Sequence, residues 1–407
     1  MPKSDMGQDV IYLIAPSGHP NYGDELIAAQ WLRYLARRRP RSLVVLDCHT
    51  PGQASILLHG LHPNAMFVDT AWRLATEASK REPAQAEDFL AHVIAEPGRA
   101  CLIVDGIELL ARASSIHLLG GGYLNSMWPH HYNLLDIAKS AQQRSGARLY
   151  ATGQGLMPAK DDDRIAAATR HFDVFDVRDQ PSTRFDGTIL TGDDAWLDLP
   201  AVPTEGIAAE AARRGTVLCL QSDLTGSDDG AARLATLVRG LLDHWGTPGS
   251  DIAVIEAIPG TDRVVFDQLA DRLDGALFVP FTELWRHGFP ASPGQAWIST
   301  RFHPHLIAAA AGAAGIAISG QRGYYDTKHQ SLMDLGSRWT LLHLDDDPRA
   351  VPRPVSGGFA ADDTRILARA KNDLAEALYP PVPLRDRARA LAPPMVKRGA
   401  RRIVGRG

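Results

Sequence analysis

The stretch WISTRFHPHLIAAAAGAAGIAISG, residues 297–320, sets an arginine and two histidines directly in front of a run of alanine, glycine and isoleucine. A guanidinium offers donors in a rigid fork that grips carboxylate or phosphate oxygens in pairs, and imidazole is the side chain best suited to moving a proton near neutral pH. AWIST reads as a β-strand and Pro304 suits a first helical position, which puts His303 at the N-cap with Arg301 just before it. Free backbone N–H groups and the positive end of a helix would join those side chains, so the junction favours a negatively charged ligand. His305 falls on the helix itself and is expected to be structural. After the next strand, SGQRGYYDTKHQSLMDLG adds Arg322, Tyr325, Lys328 and His329 near the same edge. Taken singly, His303 would serve as well as a capping residue; several cations at neighbouring strand ends point to anion binding.

Other loops that follow strands carry polar groups or glycines. In PSGHPNYGDELIAAQWL, residues 16–32, Gly18 and Gly23 permit tight turns, and Asp24 and Glu25 fall in the first turn of a helix, where acids suit the dipole. This is either an ordinary capped helix or a loop that presents Asn21 and Asp24 to hydroxyl groups in a cleft. LLGGGYLNS has three consecutive glycines, Gly120, Gly121 and Gly122, and is neither a GxGxxG fingerprint nor a Walker loop. It makes a tight turn or lets a ligand approach the backbone. ATGQGLMP places Gln154 between two glycines as a hydrogen-bonding group. FDVRDQPSTRF ends a strand with Arg178 and starts a helix at Pro181 and Ser182, so Arg178 is placed for an anion or for a salt bridge to Asp176 or Asp179.

The elements that must position these groups alternate between strand and helix. DVIYLIA, RSLVVLDC, SSIHLLGGG, ARLYATGQG, FDVFDVRD and GTILTGDD form one series of β-rich runs. GTVLCLQ, DIAVIEAI, ALFVPF, AWIST, GIAIS and WTLLHL form a second, after a linker containing Pro200 and Pro203. Continuous Val, Ile and Leu runs are what strands covered by helices on both faces require, so the fold class is α/β with two doubly wound domains, residues 1–200 and 201–350. A C-terminal helix is expected within 351–380 and a basic, mobile tail over 381–407. In such sheets ligands sit beyond the carboxyl ends of the strands, where all these loops lie. A composition of 45% hydrophobic and 22% charged residues in 407, with formal charge -4, suits a globular protein and gives no global electrostatic case for nucleic acid. Cys48, Cys101 and Cys219 stand far apart in apolar runs without a CxxC pair, as reduced core thiols would, and no metal-ligand set is evident. The apolar run at 306–319 is too short to span a bilayer and the N-terminus does not read as an export signal, so a cytoplasmic protein is expected. The tail's arginines and Lys397 would suit an anionic membrane surface, against the plain alternative of a solvated end.

Taken in order, NYGDE, HLLGGGYL, ATGQG, DVRDQPS, GDDAWL, STRFHPHLIAAAAG and YYDTKHQSLMDLG resemble the polysaccharide pyruvyl transferase family, over residues 21–336. The resemblance implies a GT-B-like pair of Rossmann-like domains facing a cleft. It also implies transfer of the pyruvyl group of phosphoenolpyruvate to two hydroxyls of a sugar in a cell-surface polysaccharide or glycolipid precursor, forming a ketal and releasing phosphate. The family's Arg-x-His motif falls on Arg301 and His303, its strand-end arginine on Arg178, its lysine on Lys328, and its Asn-x-Gly-Asp loop on Asn21, Gly23 and Asp24. On this reading Arg178, Arg301 and Lys328 bind phosphoenolpyruvate, His303 is the general acid, and Asp24 acts as base or orients the acceptor. Asn21, Gly23, Gly121 and Gln154 contact the acceptor, the first domain supplies the acceptor side, and no cofactor or metal is needed. A nucleotide-sugar glycosyltransferase and a non-catalytic glycan-binding protein would share the architecture; the choice of donor separates the first, and intact Arg178, Arg301, His303 and Lys328 speak against the second.

Overall fold

The computed structural model describes residues 8–160, 162–222, 229–320 and 325–381; Arg322 and the basic stretch from residue 382 lie outside the described residues. Both strand series form parallel sheets. The first contains β1 (Val10–Ile14), β2 (Leu43–Asp47), β3 (Ala65–Val68), β4 (Ser115–Leu118), β5 (Arg148–Gln154), β6 (Val174–Val177) and β7 (Thr188–Leu190), in the order β3-β2-β1-β4-β5-β6-β7. The second contains β8 (Thr216–Cys219), β9 (Ile252–Ile255), β10 (Leu277–Val279), β11 (Ala296–Ser299), β12 (Ala314–Ser319) and β13 (Thr340–His343), in the order β10-β9-β8-β11-β12-β13. In each sheet the chain order reverses beside the first strand, at β1/β4 and at β8/β11, and a crevice opens beyond the strand ends there. The result is the GT-B-like α/β architecture. β1, β4, β8, β9, β11 and β12 are buried along their whole length, because apolar clusters pack on both faces of each sheet. The one strand absent from the sequence reading is β3, a short, half-exposed edge strand whose AMFV lacks a β-branched run.

The halves are joined by more than a linker. Tyr22, first residue of the Tyr22–Arg38 helix, donates its N–H to the Ala257 carbonyl (3.0 Å) and packs its ring among Phe281, Trp285 and Phe289, with centroids 5.1–6.5 Å away. Trp285 in turn donates its indole N–H to the Leu57 carbonyl at 3.1 Å. A first-domain helix therefore starts inside the second domain's core, which carries Asn21, Gly23 and Asp24 to the end of the second sheet.

The C-terminal helix, Ala361–Leu378, returns to the first domain. Lys371 is fully buried there, its Nζ donating to Asp176 (2.6 Å) and Asp194 (3.0 Å). Asp194 also accepts the Gly120 N–H (2.9 Å), the Trp31 indole N–H (2.8 Å) and the Thr152 hydroxyl (2.6 Å), and Asp176 accepts the Gly153 N–H (2.8 Å). A side chain at Gly120 or Gly153 would strike Asp194. At these two positions the glycine-rich loops are thus cut back for the protein's own carboxylate rather than for a ligand. Cys48 and Cys219 are buried thiols, whereas Cys101, in the surface 3-10 segment Pro97–Ile103, is exposed and corrects the expectation of a core residue. Among the described residues no helix is long and apolar enough to cross a membrane.

Lys371→Met would leave two buried carboxylates without a cation, a loss of about 3–5 kcal/mol for a broken buried pair. Urea unfolding should show the midpoint fall accordingly, and adding Asp176→Asn and Asp194→Asn should recover much of it. A single variant as stable as the parent would show that Lys371 does not hold the helix.

Candidate active site

A cavity of about 290 Å³ opens between the carboxyl ends of the two sheets, and Asn21, Asp24, Gly122, Arg178, Arg301, His303 and Lys328 all line it. The helix Phe302–Ala310 that forms one wall begins earlier than the sequence reading placed it: Arg301 is its N-cap, with extended backbone, and His303 sits within the first turn. The cause is Ser299, whose hydroxyl donates to the Arg301 carbonyl and accepts the Arg301 N–H, both at 3.0 Å, closing the turn directly after β11. Pro304 still falls in the first turn, where no helical hydrogen bond is lost. The Arg301 guanidinium, 7% exposed, holds Asp262 through Nη2 and through Nε, the latter 2.9 Å from each carboxylate oxygen. Asp262 is itself fixed by the N–H groups of Ala257 and Ile258, so the arginine is oriented before any ligand arrives.

His303 lies across the domain boundary on Gly23, where even a methyl group would overlap the imidazole. Its Nε2 is 3.4 Å from Asp193, a buried carboxylate that also accepts Nη1 of Arg178 (3.2 Å) and the Ala195 N–H (2.9 Å). Burial alone would raise the Asp193 carboxyl; His303 and then Arg178 outweigh it and hold the group below the usual carboxylate range. Arg178 is 4% exposed, with its guanidinium 4.3 Å over the Phe302 ring; it pairs closely with Asp193 and, at 4.0 Å, with the expected Asp179, while Asp176 is taken by Lys371. Side chains at Gly122 or Gly155 would crowd that guanidinium, and one at Gly122 would also meet the Lys328 ammonium. Asn21 caps its helix by accepting the Gly23 N–H and donates Nδ2 to Asp24 at 2.8 Å, so the capping and cleft-facing readings hold together. Burial raises the Asp24 carboxyl above its usual range, and His303, Lys328 and Arg178 only partly offset this. Three cations, an imidazole and a carboxylate thus converge on one cavity, able to hold a multiply charged anion beside a proton donor and an acceptor.

Several expected residues face elsewhere. Gln154 is fully buried and donates its amide to the Leu118, Leu119 and Thr152 carbonyls, and Gly121 exchanges backbone hydrogen bonds with Gly153 and Gly155. Both complete the sheet end and neither lines the cavity, unlike their neighbour Gly122. His329 is buried against His305, Nδ1 to Nδ1 at 3.1 Å, and burial pushes it down to about 4, so it adds no positive charge to the cleft. His305 completes that pair with Ser337. Conversely, the sequence reading passed over Asp193, Asp262 and a wall of rings made by His19, His49, Tyr123, Trp128 and His131. The paired acids after β7 and the crowded WPHH at 128–131 were visible signals; Asp262 had none.

Residues 21–268 match a family described as polysaccharide pyruvyl transferase. The chain belongs to that family. The match contains Asn21, Asp24, Arg178, Asp193 and Asp262, while Arg301, His303 and Lys328 lie beyond it and join them only in space. Membership makes the protein a transferase of polysaccharide pyruvylation with a glycan acceptor. No curated protein sequence matches the chain. Among solved structures it is similar to a putative UDP-N-acetylglucosamine 2-epimerase from Listeria monocytogenes, at 11% identity, TM-score 0.50 and 92% coverage of both chains. A second UDP-N-acetylglucosamine 2-epimerase aligns at 10% identity and TM-score 0.51, over 91% of this chain and 95% of that one. At such identities the likeness concerns the fold.

The loop that delivers Pro16, His19 and Asn21 to the cavity is pinned by Glu25, fully buried, which accepts the Ser17 hydroxyl (2.5 Å) and the Gly18 N–H (2.7 Å). Burial pushes the Glu25 carboxyl up to about 7. The native state then keeps a proton that the unfolded chain releases near pH 4, so this stabilisation is present at low pH and lost as pH rises through about 7. Melting curves of the parent and Glu25→Gln from pH 5 to 8 should show the parent's advantage shrinking with rising pH. A difference that stays constant with pH would rule this out.

Proposed function

We propose that the protein moves the pyruvyl group of phosphoenolpyruvate onto two hydroxyls of one sugar unit in a polysaccharide or glycolipid precursor, giving a ketal and phosphate. The observation that carries this reading is the convergence of Arg178, Arg301 and Lys328 with His303 and Asp24 in one interdomain cavity. Phosphoenolpyruvate has a phosphate and a carboxylate on adjacent positions, which suits two guanidinium groups and an ammonium better than it suits any neutral lining. His303 gives a proton to the methylene carbon while a sugar hydroxyl bonds to the neighbouring carbon, and Asp24 receives the hydroxyl proton. Phosphate then departs and the second hydroxyl bonds to the same carbon, closing the ketal. Of the two hydroxyl protons, one replaces the proton given to the methylene carbon and the other leaves with phosphate. Asp193 acts as a positioning residue, since its contact with Nε2 sets the plane of the His303 ring against Gly23.

Phosphate release from phosphoenolpyruvate should require a glycan acceptor, and mass spectrometry should find the acceptor carrying a pyruvyl ketal. Sugar transfer from a nucleotide donor with no pyruvylated product would overturn the reading. In steady-state kinetics Arg301→Lys should raise the donor KM and keep part of the activity, because a point charge cannot replace a fork already aligned by Asp262. His303→Gln should lower kcat by about 10²-fold or more with a small change in donor KM. A glutamine variant with near-parental kcat would assign the proton to another group.

A further inference from the structure

The cavity's lining divides into two chemistries. The cations among its described residues are Arg178, Arg301 and Lys328, and on the reading above the donor's phosphate and carboxylate engage all of them. Most of the first domain's remaining share of the wall is flat rings: His19 after β1, His49 after β2, and Tyr123, Trp128 and His131 after β4. Hydrogen bonds to backbone carbonyls fix Tyr123, His131 and the Trp72 indole behind them. Trp72 donates its indole N–H to the Ala15 and Asp47 carbonyls, both at 3.1 Å, and His49 lies over it with centroids 3.9 Å apart. The Tyr123 hydroxyl donates to the Leu119 carbonyl (2.9 Å), and Nδ1 of His131 donates to the Tyr123 carbonyl (3.0 Å), which leaves Nε2 of the neutral ring as a hydrogen-bond acceptor. His131 meets Trp72 edge-on at 5.0 Å and runs nearly parallel to the half-buried Trp128, 16° apart at 6.2 Å. Burial pushes His131 down to about 4, so this part of the wall is uncharged at neutral pH.

Resting on the donor assignment above, we infer that this ring wall is the acceptor subsite and that it takes an uncharged pyranose, one C–H face of which packs on the Trp128 indole. Flat ring faces match the apolar face of a sugar, whose hydroxyls point outward around its rim. The neutral imidazoles of His49 and His131 can hydrogen-bond those hydroxyls without demanding charge. A sugar acid would bring a carboxylate into a space shared with the donor's anions and with Asp24, beside Tyr123, Trp128 and the burial-neutralised His49 and His131, which supply no counter-charge.

The test is saturation-transfer NMR on the full chain with phosphoenolpyruvate present. The probes are methyl glycosides of glucose, galactose, mannose and their N-acetylhexosamines, the matching methyl hexuronides, and UDP. At least one neutral glycoside should receive saturation chiefly on the protons of one ring face and bind about tenfold or more tightly than its hexuronide. Trp128→Ala should weaken that glycoside about tenfold or more, while the thermal shift produced by phosphoenolpyruvate alone is retained. Preference for a hexuronide, unchanged affinity in Trp128→Ala, displacement of the sugar by the uracil ring of UDP, or no saturation of any glycoside would each overturn the inference. Sugar binding of the expected kind without a phosphoenolpyruvate shift would instead sustain the subsite and reject the donor assignment.

Discussion

Two adjacent carboxylates, Asp193 and Asp194, are the constraint on which the site depends. They leave the short turn after β7 in opposite directions. Asp194 points into the first domain, where Lys371, Trp31, Thr152 and the Gly120 N–H surround it. Asp193 points toward the domain boundary, where it meets Arg178 of its own domain and His303 of the second. A carboxylate so deeply buried is tolerable only with cations and donors on every side, and that requirement ties the C-terminal helix, both glycine loops and the Arg-x-His turn to one short segment. The chain closes a circuit: the helix that follows the second domain supplies the cation that holds the first domain's loops.

The interdomain surface is set by equally specific contacts. The Tyr22 ring sits in the second domain's aromatic cluster and the next residue, Gly23, carries no side chain because His303 occupies the space. These neighbouring residues bring the two sheet ends together and leave the cavity beside the junction. The cavity inherits a division of labour from its origins. First-domain loops contribute the rings, Asn21, Asp24 and Arg178, while second-domain loops contribute Arg301, His303 and Lys328. Neither domain alone contains both a complete set of cations and the rings.

Strand identity was legible in the sequence because buried parallel strands must be continuous Val, Ile and Leu runs, and β3 escaped because an edge strand need not be. Arg301, His303, Arg178, Lys328, Asn21 and Asp24 were legible because each follows a strand or opens a helix, the positions from which an α/β fold presents side chains to a ligand, and the structure does bring them to one cavity. Gln154, Gly121 and His329 carried the same local signature, yet their side chains or backbone satisfy buried groups instead. Glycine triplets look alike in sequence whether they make room for a ligand or for the protein's own Asp194 and Arg178.

By itself, then, the sequence determined the element types, the parallel α/β class, the family and the kind of charge gathered at the loop ends, since these follow from local patterns of apolar, glycine and basic residues. Tertiary structure decided which charge faces which. Asp193 lies 15 residues from Arg178 in the chain, Asp262 lies 39 from Arg301 and Lys371 lies 177 from Asp194. Such pairings are chosen by the burial of a charge that must find a partner, and spacing along a chain does not record who that partner is.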